Sequence, residues 1–334
     1  MKRISLLVLV VAGCGSSSSK TPDAAVHIDA PADTASHDAP GDGADASIDA
    51  AMGSGAHTHY VINRITVPTT SNESRADGFD LNGDGTVDNQ MGAALAAMTS
   101  QAGVDVQTPI DTSIAHGGSI TLADLQATGF TSATDAGFTL FVGTNPNPTP
   151  CNGANDTTCG HHLTGTGSFD VAAMPRDTPI IGTITSSVYT GGPGHLSVPL
   201  YAFTGMPATV TLLAAHAQFT ASANGLMTGK IGGAISMDDI NNKVYPGMQT
   251  GIMAVITRDC TNLQSPPGCG CAQNSSGATM ISFFDTNQDC AVSLTEIKNN
   301  QLIQSLFAPD VTVEGQMALS FGFAFTAVDA TFTP

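Results

Sequence analysis

Tryptophan is absent from this chain, aromatic residues make up 5% and charged residues 11%, against about a quarter charged in an ordinary globular protein. Basic residues are scarcer still, with 10 Lys and Arg against 28 Asp and Glu and a formal charge of −18. That balance excludes a basic face for nucleic acid or anionic lipid and favours divalent cations. Catalytic signatures are also missing: there is no His-Glu-x-x-His, no Gly-x-Ser-x-Gly, no phosphate-binding glycine loop and no Cys-x-x-Cys. No pair of carboxylates sits at a spacing that implies acid–base work. Thr, Ser, Gly and Ala fill the space instead, the profile of an exported, β-rich protein.

The N-terminus carries an address. Met1-Lys2-Arg3 is a basic start and Ile4 to Val11 an apolar run too short to span a bilayer. Val11-Ala12-Gly13-Cys14 then ends in small residues before a cysteine, and resembles the lipobox of bacterial lipoproteins. The resemblance implies cleavage after residue 13 (signal peptide 1–13) and lipid on Cys14. Gly15 follows, with no Asp to argue for inner-membrane retention, so an outer-membrane location is expected. Residues 14–56 read as a tether. From Gly15 on it has seven Asp, no Glu, one Lys and no aromatic residue, so it cannot bury enough apolar surface to offset its ordering entropy.

Two short loops carry the chemistry. From Asp285, oxygen-bearing residues fall at the first, third, fifth, ninth and twelfth positions, the spacing that wraps six to eight oxygens around a hard cation. The stretch resembles the EF-hand calcium loop. Carried over, Asp285, Asn287, Asp289 and Ser293 ligate by side chain, Ala291 by its carbonyl, and Glu296 as the bidentate acid. Val292 takes the apolar anchor position. Cys290 stands where that family has a glycine with positive φ, a departure costing about 1–2 kcal/mol. Ser293-x-x-Glu296 also reads as a plain helix capping box. The second loop, Asp80 to Met91, resembles EF-hand-like and dockerin-type loops. It implies Asp80, Asn82, Asp84 and Asp88 as ligands with the Thr86 carbonyl, and has Gly85 at the tight turn. Met91 replaces its final acid, so a carboxylate from elsewhere or water must complete the shell. A solvated Asp-Gly turn is the plainer alternative.

The rest of the chain sets the frame. Strands are expected at Tyr60–Val67, Ile120–Leu125, Phe138–Val142, Ile180–Tyr189, Leu196–Phe203 and Thr209–Phe219. Gly191-Gly192-Pro193-Gly194 serves as punctuation. Met317, Leu319, Phe321, Phe323 and Phe325 alternate strictly and mark the clearest strand. A helix with Met91, Ala94, Leu95 and Met98 on one face follows the Asp80 loop. Another, opened by Ser236-x-x-Asp239, carries Ile240, Val244, Met248, Ile252, Val255 and Ile256, with Pro246-Gly247 expected to kink it. Beyond the Asp285 loop, Ile297, Leu302, Ile303, Leu306 and Phe307 mark an exit helix. Apart from Cys14 the chain has Cys151, Cys159, Cys260, Cys269, Cys271 and Cys290, an even set that implies three disulfides in an oxidising compartment. Cys151 with Cys159 is the local pair. Cys269 and Cys271 each pair outward, one of them with Cys290, although Cys260 with Cys290 stays open. His57-x-His59 and His161-His162 could each offer two imidazoles to a transition metal; the second pair, beside Cys159, is the better candidate. His216, in phase with Val210, Leu212 and Ala214, reads as a core histidine.

These features predict an α+β domain over 57–334, an antiparallel sheet or sandwich with a helical, cysteine-rich, EF-hand-like insertion (275–308) before the last strand. The order of elements and the Asp-Ala-Pro tether are similar to a family of uncharacterised lipoproteins from large-genome Gram-negative bacteria, which implies no activity. The expected role is a calcium-binding, disulfide-stabilised lipoprotein that binds or supports rather than catalyses. The membrane is reached through Cys14, and no nucleic acid is involved. A lipid-anchored hydrolase with structural calcium is the alternative, and a transmembrane β-barrel the other rival. Replacing Cys14 with Ser is expected to leave the protein soluble or unprocessed. A variant that still labels with radioactive palmitate and stays in membranes overturns the lipobox.

Overall fold

Alternation along each strand sorts side chains onto two faces, and ten strands use it. The computed structural model describes residues 53–334 except 103–104, 154, 202–206, 223–224 and 264–268. Cys14 and the expected tether up to residue 52 lie outside the described residues, while the Ser54 N–H donates to the Asp135 carbonyl and Ala56 already opens the first strand. The strands are β1 (Ala56–Thr66), β2 (Thr121–Ala127), β3 (Ser132–Asn147), β4 (Gly167–Val171) and β5 (Ile180–Thr185). They continue with β6 (Val188–Tyr201), β7 (Pro207–Ala221), β8 (Leu226–Ser236), β9 (Val311–Val313) and β10 (Gln316–Thr331).

Eight of them close on themselves. The ring runs β1–β2–β3–β5–β6–β7–β8–β10 and returns to β1, antiparallel throughout. Strand β4 joins the ends of β3 and β10, and β9 forms a hairpin with β10. The expected α+β sheet or sandwich with an EF-hand insertion is therefore wrong: the fold is a mostly antiparallel, closed eight-stranded β-barrel. Two non-local pairings make the difference, β3 with β5 and β1 with β10. Strand periodicity tells which face is buried but not which edges meet.

The barrel interior is filled. Tyr60, Phe138, Tyr189, Phe219, Phe323 and Phe325 are all fully buried, and Phe219 stacks on Tyr189 at 4.6 Å between ring centres. Eight strands leave an interior about wide enough for side chains. The outer wall shows Arg64, Thr134, Thr183, Thr185, Thr209, Gln218 and Thr228 to solvent. Apolar inside and polar outside is the inverse of a membrane-spanning barrel.

Helices close one end of the barrel. Helices α1 (Ser71–Asp77), α2 (Gln90–Ala102) and α3 (Gln107–Ala115) follow β1. A second group follows β8: α4 (Met237–Asp239), a π-helical turn (Ile240–Val244), α5 (Tyr245–Asp259), α6 (Ser276–Phe284), α7 (Leu294–Asn299) and α8 (Gln301–Leu306). Their buried residues Ile240, Val244, Met248, Ile252, Ile256, Phe284, Ile297 and Ile303 share one core with the barrel interior. The segment is thus a lid on the barrel rather than an inserted helix–loop–helix unit. As read from the sequence, Ser236 caps it by accepting from the Asp239 N–H at 3.0 Å.

Other local expectations are corrected. Gly191 to Gly194 lies inside β6, where the register with β7 shifts, so it is a bulge rather than a turn. A second bulge between Leu213 and His216 breaks the alternation of β7. Ala215, Ala217 and Phe219 then face inward, and His216 lies outside, stacked on Phe79. The exit helix divides at Asn300, whose side chain caps α8, and Leu302 is exposed.

Phe219 contacts Phe138, Tyr189 and Phe325 at once. Phe219→Ala should therefore destabilise the barrel by about 3–5 kcal/mol, seen as a lower denaturant midpoint. An unchanged midpoint contradicts the filled interior.

Candidate metal centre

The two candidate loops, far apart in sequence, repeat one hydrogen-bond scaffold. In the first, Asp80 Oδ1 accepts from the Asp84 N–H at 3.1 Å and Oδ2 from the Gly85 N–H at 2.8 Å. In the second, Asp285 Oδ1 accepts from the Asp289 N–H at 3.0 Å and Oδ2 from the Cys290 N–H at 2.9 Å. The third positions match too: Asn82 Oδ1 accepts from Asp84 and Asn287 Oδ1 from Asp289. So do the fifth, with Asp84 Oδ1 taking the Thr86 N–H and Asp289 Oδ1 the Ala291 N–H. At the sixth position both chains turn left-handed, Gly85 at φ +84° and Cys290 at φ +66°. Glycine tolerates this freely. Cys290 is held by its disulfide to Cys269.

Each amide uses one lone pair of a carboxylate or carboxamide oxygen, and a carboxylate offers about four acceptor sites. Oxygens therefore stay available on both loops. Val292 is 1% exposed, its carbonyl accepts from Gln249 of α5 at 3.0 Å, and so the anchor position behaves as expected.

Glu296 is more heavily engaged. Its Oε1 accepts from the Thr286 N–H, the Thr286 hydroxyl and the Asn287 N–H; Oε2 accepts from the Ser293 N–H and hydroxyl. Burial works against its charge, but these donors outweigh burial and hold the carboxyl below its usual pKa. The capping box is real, with the Ser293 hydroxyl also accepting from the Glu296 N–H. Asp285, Asp289 and Glu296 are not among the groups whose ligand atoms all gather within 4.8 Å. Their ligand atoms stay apart, with Glu296 Oε2 engaged by the Ser293 cap and Oε1 by Thr286 and Asn287 of the loop.

The first loop ends differently. Met91 is buried against Ile65, Val67 and Phe323 at the barrel end, so the twelfth position supplies no oxygen. Asp88 Oδ2 accepts from the Leu81 N–H at 2.9 Å. Burial raises the Asp88 pKa, and the negative charges of Asp310, Asp84 and Asp80 raise it further. Asp310 faces the same cavity as Asp88. It is the nearby acid the sequence did not identify, though both its oxygens accept from Ser320.

Asn89, also missed, ties this loop to the barrel. Strand β1 pairs with β10 only up to Thr66 opposite Ala324. Beyond that point Asn89 Oδ1 accepts from the Gly322 N–H and Nδ2 donates to the Gly322 carbonyl, at 2.9 and 3.0 Å. A side chain at Gly322 would meet the Asp77 carbonyl at 2.3 Å, so only glycine lets α1 approach there.

The disulfides are Cys151–Cys159, Cys260–Cys271 and Cys269–Cys290, which resolves the alternatives left by the sequence. The favoured histidine pair is divided. His161 Nε2 bonds Asp156 at 2.9 Å, while His162 is fully buried beside Phe169. His57 and His59 instead gather with Asp124. The one signal for Asp124 was its charge within the apolar run Ile120–Leu125. His116 also lies near Cys151 and Cys159, but their sulfurs are spent on each other. No family model, curated protein or solved structure matches this chain.

Non-reducing peptide mapping should recover these three pairings and no free thiol outside Cys14. A Cys260–Cys290 peptide contradicts the frame around the Asp285 loop.

Proposed function

We propose that the protein is a calcium-stabilised, lipid-anchored envelope protein whose role is binding or structural rather than catalytic. The observation that carries the calcium reading is the scaffold repeated at the first, third, fifth and sixth positions of both loops. One cation geometry would account for the same scaffold in two loops far apart in sequence. Mutual repulsion around Asp88 is a second support, since a cation would relieve it. The Asp285 loop is the stronger site because it ends in an acid. Glu296 must exchange its cap donors for the ion, which points to weak binding, in the range of about 10⁻⁴–10⁻³ M common to extracellular modules. Anchorage at Cys14 and an outer-membrane location belong to the same proposal and rest on the N-terminal sequence; likeness to a family of uncharacterised bacterial lipoproteins rests on the order of elements and the tether.

Saturating calcium at a hundredfold over Kd adds about 2.7 kcal/mol to the folded state. For a Kd of about 10⁻⁴ M that excess is about 10 mM calcium, where melting should lie about 5 °C above melting in EDTA. Glu296→Gln should remove most of that difference and Asp84→Asn a smaller part. Gln cannot accept at its amide nitrogen, so it also weakens the cap. The readout is therefore the calcium-dependent shift of each variant, not its absolute melting point. Identical wild-type melting in calcium and EDTA reduces both loops to hydrogen-bonded turns.

A further inference from the structure

We propose that His57, His59 and Asp124 form a site for a divalent transition metal of zinc type, separate from the calcium loops. Strand geometry assembles it. His57 and His59 are two apart on β1 and share a face, and Asp124 of β2 lies directly opposite His59 in register. That face is the outer wall, since the neighbours Tyr60, Ala123 and Leu125 point into the core.

The three side chains already stand at ligand spacing. His57 Nδ1 lies 2.8 Å from Asp124 Oδ2, and His59 Nε2 lies 3.5 Å from Asp124 Oδ1. Two ligands each about 2.1 Å from a tetrahedral ion are about 3.4 Å apart. The His59–Asp124 gap fits that value, and the His57 contact needs to open by about 0.6 Å. A protein hydrogen bond at 3.5 Å is too long to count.

Asp124 supplies the independent observation. It is 5% exposed, and both its Oδ1 and His59 Nε2 are buried without a hydrogen-bond partner. Two buried polar atoms that face each other unpartnered are satisfied together by one cation between them. The His59 side chain is 22% exposed and faces the buried Asp124. Stacking on Phe332 at 4.3 Å fixes its orientation. His57 is half exposed and gives the ion its way in, with water left to complete the shell. Two imidazoles and one carboxylate favour zinc, copper, iron or nickel over calcium.

The test is zinc titration of the full-length, metal-stripped protein, with millimolar calcium present and a chromophoric chelator in competition. One zinc per chain is expected. His57→Ala and Asp124→Asn should each weaken it at least tenfold; His57→Ala also takes a hydrogen bond from the buried Asp124, so the readout is zinc affinity rather than melting. If Asp124→Asn fails to fold, His57→Ala decides alone. Zinc affinity unchanged in His57→Ala overturns the site. So does loss of zinc on His161→Ala, or on joint replacement of His27 and His37, in place of that effect.

Discussion

Strand β10 is paired along both edges, with β8 from Ala318 to Val328 and with β1 from Ala324 to Asp329, and the rest of the molecule hangs on that closure. An open sheet of this composition would leave a long edge with unpaired amides, a template for association. Closure removes the edge and turns the alternating aromatic residues of β10 into the wall of a sealed core. Where β1 leaves β10, the Asn89 side chain supplies the donor and acceptor that Gly322 would otherwise lack. Ser320, one step along, accepts from the Gln90 N–H and is itself held by Asp310. The Asp80 loop is therefore fastened to the barrel seam through the residues just after it.

The second loop is fastened by other means. Gln249 and Met253 of α5 grip Val292, and a disulfide holds Cys290. Both loops rest on side chains that accept backbone amides, so their shape does not require an ion. A cation arriving at either would meet a preformed turn and would pay mainly for redirecting Glu296 or for lacking an acid at Met91. Preformed turns with one ligand committed elsewhere or missing would make weak sites, suited to surroundings where calcium is abundant.

What could be read from the sequence was local. Leu319, Phe321, Phe323 and Phe325 announced an inward face, and Ser236 and Ser293 announced helix starts, because each signal lies within a few residues. The Asp285 spacing was legible for the same reason, together with the capping box that competes for Glu296. Barrel closure was not legible, since the strands that meet in it lie at opposite ends of the chain. A one-residue bulge was enough to move His216 from the expected core to the outer wall. Asp124 escaped notice because its partners are set by register between β1 and β2, which periodicity does not specify.

A filled interior also restricts where this protein can act. Barrels that carry small ligands leave room among their inward side chains, but here Tyr60, Phe138, Tyr189 and Phe219 occupy that space. Recognition must then use the wall, the lid or the loops. The lid end carries the helices and the Asp285 loop. The first half of β1 carries His57 and His59, beside the small outer cluster of Val61, Leu122, Phe141 and Phe332. His59 stacks on Phe332 of that cluster, and Asp124 opposite His59 is 5% exposed. Burying a carboxylate beside two imidazoles is costly, and a cation at the proposed His57, His59 and Asp124 site would offset that cost.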